Sequence, residues 1–176
     1  MATRSLTRKG RSSPAQFNQE MEILHFAPPG LLAPEQALAF NTTLGTLSLL
    51  GWQNDRPRLI IEEQFTPSEI SVLVPLLRTY PSYCSYELIL ASYEAGRLTE
   101  ETIVRYRTRL LEALQQPGGW DEMMRPVRGV LSRARIKLRS FGLVIASVSE
   151  TGYMLRGTLH VPMFSAQEEV SISIPG

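Results

Sequence analysis

"RPVRGVLSRARIKLRSFGLVIASVSETGYML", residues 125–155, runs a basic amphipathic helix straight into a β-hairpin, and that order decides the fold. Val127, Leu131, Ala134, Leu138 and Phe141 recur at intervals of four, three, four and three residues. A helix carries all five on one face. Arg128, Ser132, Arg135 and Arg139 recur in the same way on the opposite side, and Arg125 extends that row. Pro126 suits the first turn of such a helix and Gly142 its end. Beyond it, "LVIASVSETGYMLRGTLHV" (143–161) reads as two strands around a turn at Glu150-Thr151-Gly152.

Upstream of this unit the chain is helical, and further upstream it is β-prone. "TEETIVRYRTRLLEALQQPGG" (99–119) predicts a helix capped by Thr99 and stopped at Pro117-Gly118-Gly119. "SYELILASYEAG" (85–96) predicts another, from Ser85 to Gly96. "FTPSEISVLVPLLRTYP" opens a third with Thr66 as N-cap, Pro67 in the first turn and Glu69 placed for a capping box. Pro75 falls inside its apolar pattern, so a kink or an early end is expected there. "TTLGTLSLLGW" (42–52) and "RLIIEE" (58–63) flank "QNDRP", which has the turn chemistry of a hairpin. "MEILHF" (21–26) reads as a further strand, "APPGLLAPEQ" as a loop, and "FSAQEEVSISIPG" as a tail able to add a strand. The opening "MATRSLTRKGRSSPAQ" is basic and poor in apolar residues, the composition of a disordered arm.

These readings divide the chain into an arm (1–16), an N-terminal extension (17–41), a folded unit (42–161) and a tail (162–176). The expected fold is α+β: a small N-terminal antiparallel sheet, three core helices, one inserted helix and a C-terminal hairpin wing. With 176 residues, 43% of them hydrophobic, the chain can bury a sizeable core. No apolar run is long enough to span a bilayer, and the N-terminus has no signal-peptide h-region. The single cysteine, Cys84, excludes an internal disulfide and fits a reducing compartment. A cytoplasmic, nucleoid-associated location is the expectation.

The net charge of +1 conceals a segregation. Arg4, Arg8, Lys9 and Arg11 stand in the arm with no acid. Arg125, Arg128, Arg133, Arg135, Lys137 and Arg139 stand in residues 125–139, again with none. Eight bases then face 17 acids elsewhere, about −9 in all. Ordinary surface helices mix signs to gain i,i+4 pairs, whereas an acid-free row suits a polyanion. Guanidinium forks bind phosphates and can read guanine edges in a major groove.

Four segments in order resemble the OmpR/PhoB-type DNA-binding domain of bacterial transcriptional regulators, over residues 42–160. "FTPSEISVLVPLL" is similar to that family's first helix, "YCSYELILASYEAG" to its second, "PVRGVLSRARIKL" to its recognition helix and "IASVSETGYML" to its wing. The resemblance implies a winged helix-turn-helix that regulates transcription by binding double-stranded DNA, with no cofactor. Its recognition helix, about 126–141, would enter the major groove. Arg125, Arg133 and Arg135 would then contact phosphates or bases, with Arg128, Ser132 and Arg139 beside them. Gly152 and Tyr153 would shape the wing, Gly152 by a backbone conformation that a side chain resists and Tyr153 by packing beneath it. The family's wing arginine aligns with Ser149, followed by Glu150, which leaves Arg156 on the next strand as the wing's cation. Gly129 stands in mid-helix, at a cost of about 1 kcal/mol against Ala. Close approach of a backbone or phosphate would explain it, and so would a local packing need.

Residues 97–125 replace a short loop of that family with a whole helix. Ile103, Tyr106, Leu110 and Leu114 are expected to pack down, with Arg105 and Arg109 toward solvent as candidate partner contacts. Such a helix extends the core, or it meets RNA polymerase, another regulator or a second copy in a homodimer. No phosphate loop, CxxC or zinc spacing occurs, and the adjacent acidic pairs point apart, so neither an enzyme nor a metal site is expected. His25 and His160, far apart on candidate strands, read as structural or surface residues. The rival to DNA binding is a winged helix used as a protein–protein interaction module within a larger complex.

Overall fold

The structure, a computed structural model, describes residues 22–158; the basic arm, His160 and the tail 162–176 lie outside the described residues. The architecture is α+β and winged-helix-like. A four-stranded antiparallel meander is formed by β1 (Ile23–Phe26), β2 (Gln36–Asn41), β3 (Thr46–Gln53) and β4 (Arg56–Gln64), in that spatial order. α1 (Pro67–Thr79), β5 (Cys84–Ser85), α2 (Tyr86–Leu90), α3 (Glu100–Leu114) and α4 (Gly119–Leu138) follow, then the hairpin β6 (Leu143–Val148) and β7 (Gly152–Gly157). β5 pairs with β7, so the second sheet runs β5-β7-β6.

β2 and β3 alternate as strands of a half-buried sheet should. Leu38 and Phe40 of β2 and Leu47 and Leu49 of β3 point into the core. The β3–β4 turn is Asn54-Asp55, both at positive φ, the two-residue turn that matches strand twist. β2 sits where the sequence showed only an N-terminal extension. Two alanines and a flanking Pro-rich loop left its period-2 pattern too short to register. Gly45 adopts φ 74°, and a Cβ there would lie 2.4 Å from the Phe65 carbonyl oxygen. That close approach, held by the Phe65 N–H donating to the Gly45 carbonyl at 2.7 Å, sets the β2–β3 turn against the entrance to α1.

α1 opens with the expected capping box: Thr66 Oγ1 accepts from Glu69 N at 3.3 Å, and Glu69 Oε2 accepts from Thr66 N at 2.9 Å. The helix does not end at Pro75 but runs to Thr79. A proline at 75 has no N–H for the Ser71 carbonyl four residues back. The Ser92 hydroxyl donates to that carbonyl instead, at 2.6 Å, from the π-helical turn Ala91–Ala95 that continues α2. The break is thus repaired from a neighbouring element. Gly96, at φ 62°, terminates that turn.

α3 and α4 both depart from expectation in register. α3 ends at Leu114, well before Pro117, and residues 115–118 connect it to α4. α4 starts at Gly119, so Pro126 lies inside the helix and does not begin it. Pro126 and Glu122 are both exposed, and a carbonyl left without a helical donor on that side is open to water. Asp121 and Glu122 occupy the first turn, where acids favour the helix dipole. One apolar core joins α1, α2, α3 and α4 to both sheets, with Leu73, Leu76, Ile89, Leu131, Leu138 and Leu155 fully enclosed. No helix among the described residues is long and apolar enough to cross a membrane.

Candidate nucleic-acid interface

α4 buries Met124, Val127, Val130, Leu131, Ala134 and Leu138. Its solvent face therefore carries Arg125, Arg128, Gly129, Ser132, Arg133, Ile136 and Arg139, all exposed. Down the middle of that face run Arg125, Gly129, Ser132 and Ile136, spaced by four, three and four residues. Arg128 and Arg139 flank the row on one side and Arg133 on the other. Ile136 is 64% exposed, the most exposed large apolar side chain among the described residues.

The six basic side chains separate into two groups. Three are engaged within the fold. Arg128 Nη2 reaches Asp121 Oδ1 at 2.8 Å and the Asp121 carbonyl at 3.0 Å. Lys137 Nζ donates to Glu69 Oε2 at 2.8 Å and to the Gln64 carbonyl at 2.7 Å. Arg135 is half-buried, and its Nε donates to the Ile145 carbonyl at 3.0 Å. The helix therefore does not forgo ion pairs, as the acid-free stretch suggested. Its acidic partners stand one turn upstream of that stretch and on α1.

Arg125 and Arg139 make no ion pair among the described residues, and Arg133 touches only the edge of Glu69 at 3.9 Å while 60% of its side chain is exposed. Arg156, on β7, is likewise exposed and unpaired among the described residues. These four guanidiniums are free to meet an external anion.

Glu69 is 2% exposed and fixes α4 to α1. Burial alone would raise its carboxyl pKa; the Lys137 ammonium and the Thr66 N–H and hydroxyl outweigh that and hold it below the ordinary value. The wing is joined to α4 through an aromatic chain. Trp120 packs edge-on to Tyr86 at 4.7 Å, and Tyr86 packs edge-on to Tyr153 at 5.6 Å. The Arg135 guanidinium lies over the Tyr153 ring at 5.9 Å. Tyr153 is buried beneath the hairpin as expected, and burial with the neighbouring Tyr86 raises its pKa against the pull of Arg135 and Arg128.

Gly152 is required for a different reason from the one its motif implied. Its φ is not positive; a Cβ there would lie 2.0 Å from the Cys84 carbonyl oxygen, so β5 and β7 close only over a glycine. The left-handed residue at the wing tip is Glu150, at φ 55°. Gly129 is the converse. A Cβ there would meet only Arg133 Nη1, at 3.9 Å, so nothing among the described residues demands glycine at that place.

Arg105 and Arg109 are exposed on α3 and both lie over the Tyr106 ring, at 5.4 and 5.0 Å. Arg109 is already paired with Glu94 at 2.8 Å. Tyr106 and Leu110 pack down as expected and Ile103 is half-buried, but Leu114 is 59% exposed. α3 ends at Leu114, so no further turn covers that residue. Ile136 escaped the sequence reading, although an apolar residue out of step with the buried stripe was its visible signal. Among the described residues no three His, Cys, Asp or Glu side chains cluster as a metal site would. No family model, curated protein or solved structure matches this chain.

Proposed function

We propose that the chain is a sequence-specific duplex-DNA-binding regulator of transcription that inserts the exposed face of α4 into a major groove. The carrying observation is the composition of that face: an apolar Ile136 and a hydroxyl on Ser132, aligned with a bare Gly129 and with Arg125, and bordered by the exposed Arg133 and Arg139. Each group has a natural counterpart. An arginine fork matches guanine O6 and N7 or a phosphate, an exposed aliphatic group matches a thymine methyl, and a hydroxyl matches either kind of base edge.

Within this reading Arg125, Arg133 and Arg139 contact DNA, and Arg156 supplies a backbone contact from the wing. Arg128 and Arg135 act chiefly by position, Arg128 on the first turn of α4 and Arg135 on the wing. The basic arm adds contacts that carry no sequence information.

The rival reading, a protein-interaction module, draws on the same exposed Ile136, because an isolated apolar side chain ringed by arginines also suits an acidic protein groove. Selection from a pool of randomised duplexes separates the two. The DNA reading expects enrichment of a discrete motif, and expects R125A/R133A/R139A and I136A to lose preference for it over random duplex. A pool that emerges without a motif, from a protein that remains folded, would overturn sequence-specific binding.

A further inference from the structure

The outer face of α3 carries a pattern that DNA binding does not use. Val104, Leu111 and Leu114 are 50%, 57% and 59% exposed. Val104 and Leu111 stand seven residues apart, two helical turns, and so share one row. Arg105 and Glu112 form the adjoining row at the same spacing, both exposed and neither in an ion pair among the described residues. The other cations of this helix are committed within the chain: Arg107 to Glu87 at 3.1 Å and Arg109 to Glu94 at 2.8 Å.

We propose that this face of α3 binds the same face of a second copy of the chain, the two helices running antiparallel about a two-fold axis near Thr108. In such a contact every pairing occurs twice, because the surface must complement itself. Val104 meets Leu111 of the second copy, and Arg105 comes beside Glu112 of the second copy. An apolar row and an oppositely charged pair, both repeating at seven residues, complement themselves under that one operation. A contact with an unrelated protein places no such demand on the spacing. The apolar row is short, so self-association is weak, below the range of standard-size interfaces. The proposal stands on α3 alone and holds whether or not α4 binds DNA.

Sedimentation equilibrium of the full chain tests it, with circular dichroism as a check on folding. The chain dimerises, and L111K weakens the dimer. R105E and E112R each weaken it on the order of tenfold, because two attractive pairs become two repulsive ones. An equimolar mixture of R105E with E112R regains the association, since each mixed dimer restores both pairs, and the double variant R105E/E112R regains it alone. A chain that stays monomeric up to ~1 mM would overturn the proposal and leave the face to another protein. A dimer indifferent to L111K and to both charge reversals would overturn it as well, as would a mixture that fails to recover.

Discussion

Replacing Gly129 by alanine should move stability and DNA affinity in opposite directions. Gly129 lies in the interior of α4, where glycine costs about 0.5–1 kcal/mol relative to alanine through lost backbone entropy. The added methyl would meet Arg133 Nη1 at 3.9 Å and nothing nearer, an ordinary contact with the mobile end of a side chain. No strain offsets the gain. In a chain of this size 1 kcal/mol corresponds to roughly 2–4 °C in Tm, so G129A should melt about 1–4 °C higher. If that surface docks closely in a groove, the same methyl overpacks the contact by about 1–3 kcal/mol. Affinity for a selected duplex should then fall roughly 5- to 150-fold. Thermal melts and fluorescence anisotropy on one preparation read both quantities. A G129A chain that melts higher and binds unchanged would refute the close approach at this position. One that melts lower would show that glycine serves internal packing.

The remaining expectations concern the supports of that surface. The Glu69 carboxyl is held below its ordinary pKa in the fold, so it contributes stability that is present above the unfolded value and lost as pH falls through the folded one. E69Q should therefore be less stable than the parent near neutrality, with the gap closing in acid; a gap constant from pH 7 to about pH 3 would contradict the sign. S92A leaves the half-buried Ser71 carbonyl without its donor and should cost about 1–3 kcal/mol in urea unfolding. A cost below ~0.3 kcal/mol would mean that the repair of Pro75 is unimportant. G152A should destabilise the chain by more than about 2 kcal/mol, because the clash is with strand backbone and not with a movable side chain.

What the sequence disclosed, and what it withheld, follows the range of the interactions. The capping box at Thr66 and Glu69 is local, and it was legible residue by residue. So was the core stripe from Val127 to Leu138 of α4, continued by Phe141 in the turn just beyond it. The start of α4 was misplaced because a proline preferred in the first turn also tolerates an exposed helix interior when water can serve the freed carbonyl. The survival of α1 past Pro75 is supported by Ser92, 21 residues beyond the Ser71 carbonyl it serves, and no local pattern reports that. Nor does one reveal that Lys137 answers a buried acid 68 residues upstream, which removes a charge from the apparent binding row. For Leu114 the helical period was right, but it cannot tell where the neighbouring elements stop covering a helix.

The most direct test of DNA binding through α4 is the salt dependence of equilibrium binding to duplex DNA, for the full chain and for R125A/R133A/R139A. Each phosphate neutralised contributes about −0.9 to the slope of log Kobs against log salt. Four or so contacts from α4, the wing and the arm predict a slope of roughly −3 to −4 for the parent chain. The triple variant should lose affinity and should flatten that slope by up to about 3, according to how many of its arginines meet phosphates. A folded chain that leaves duplex DNA unbound at low salt, or a triple variant whose affinity and slope match those of the parent, would contradict it.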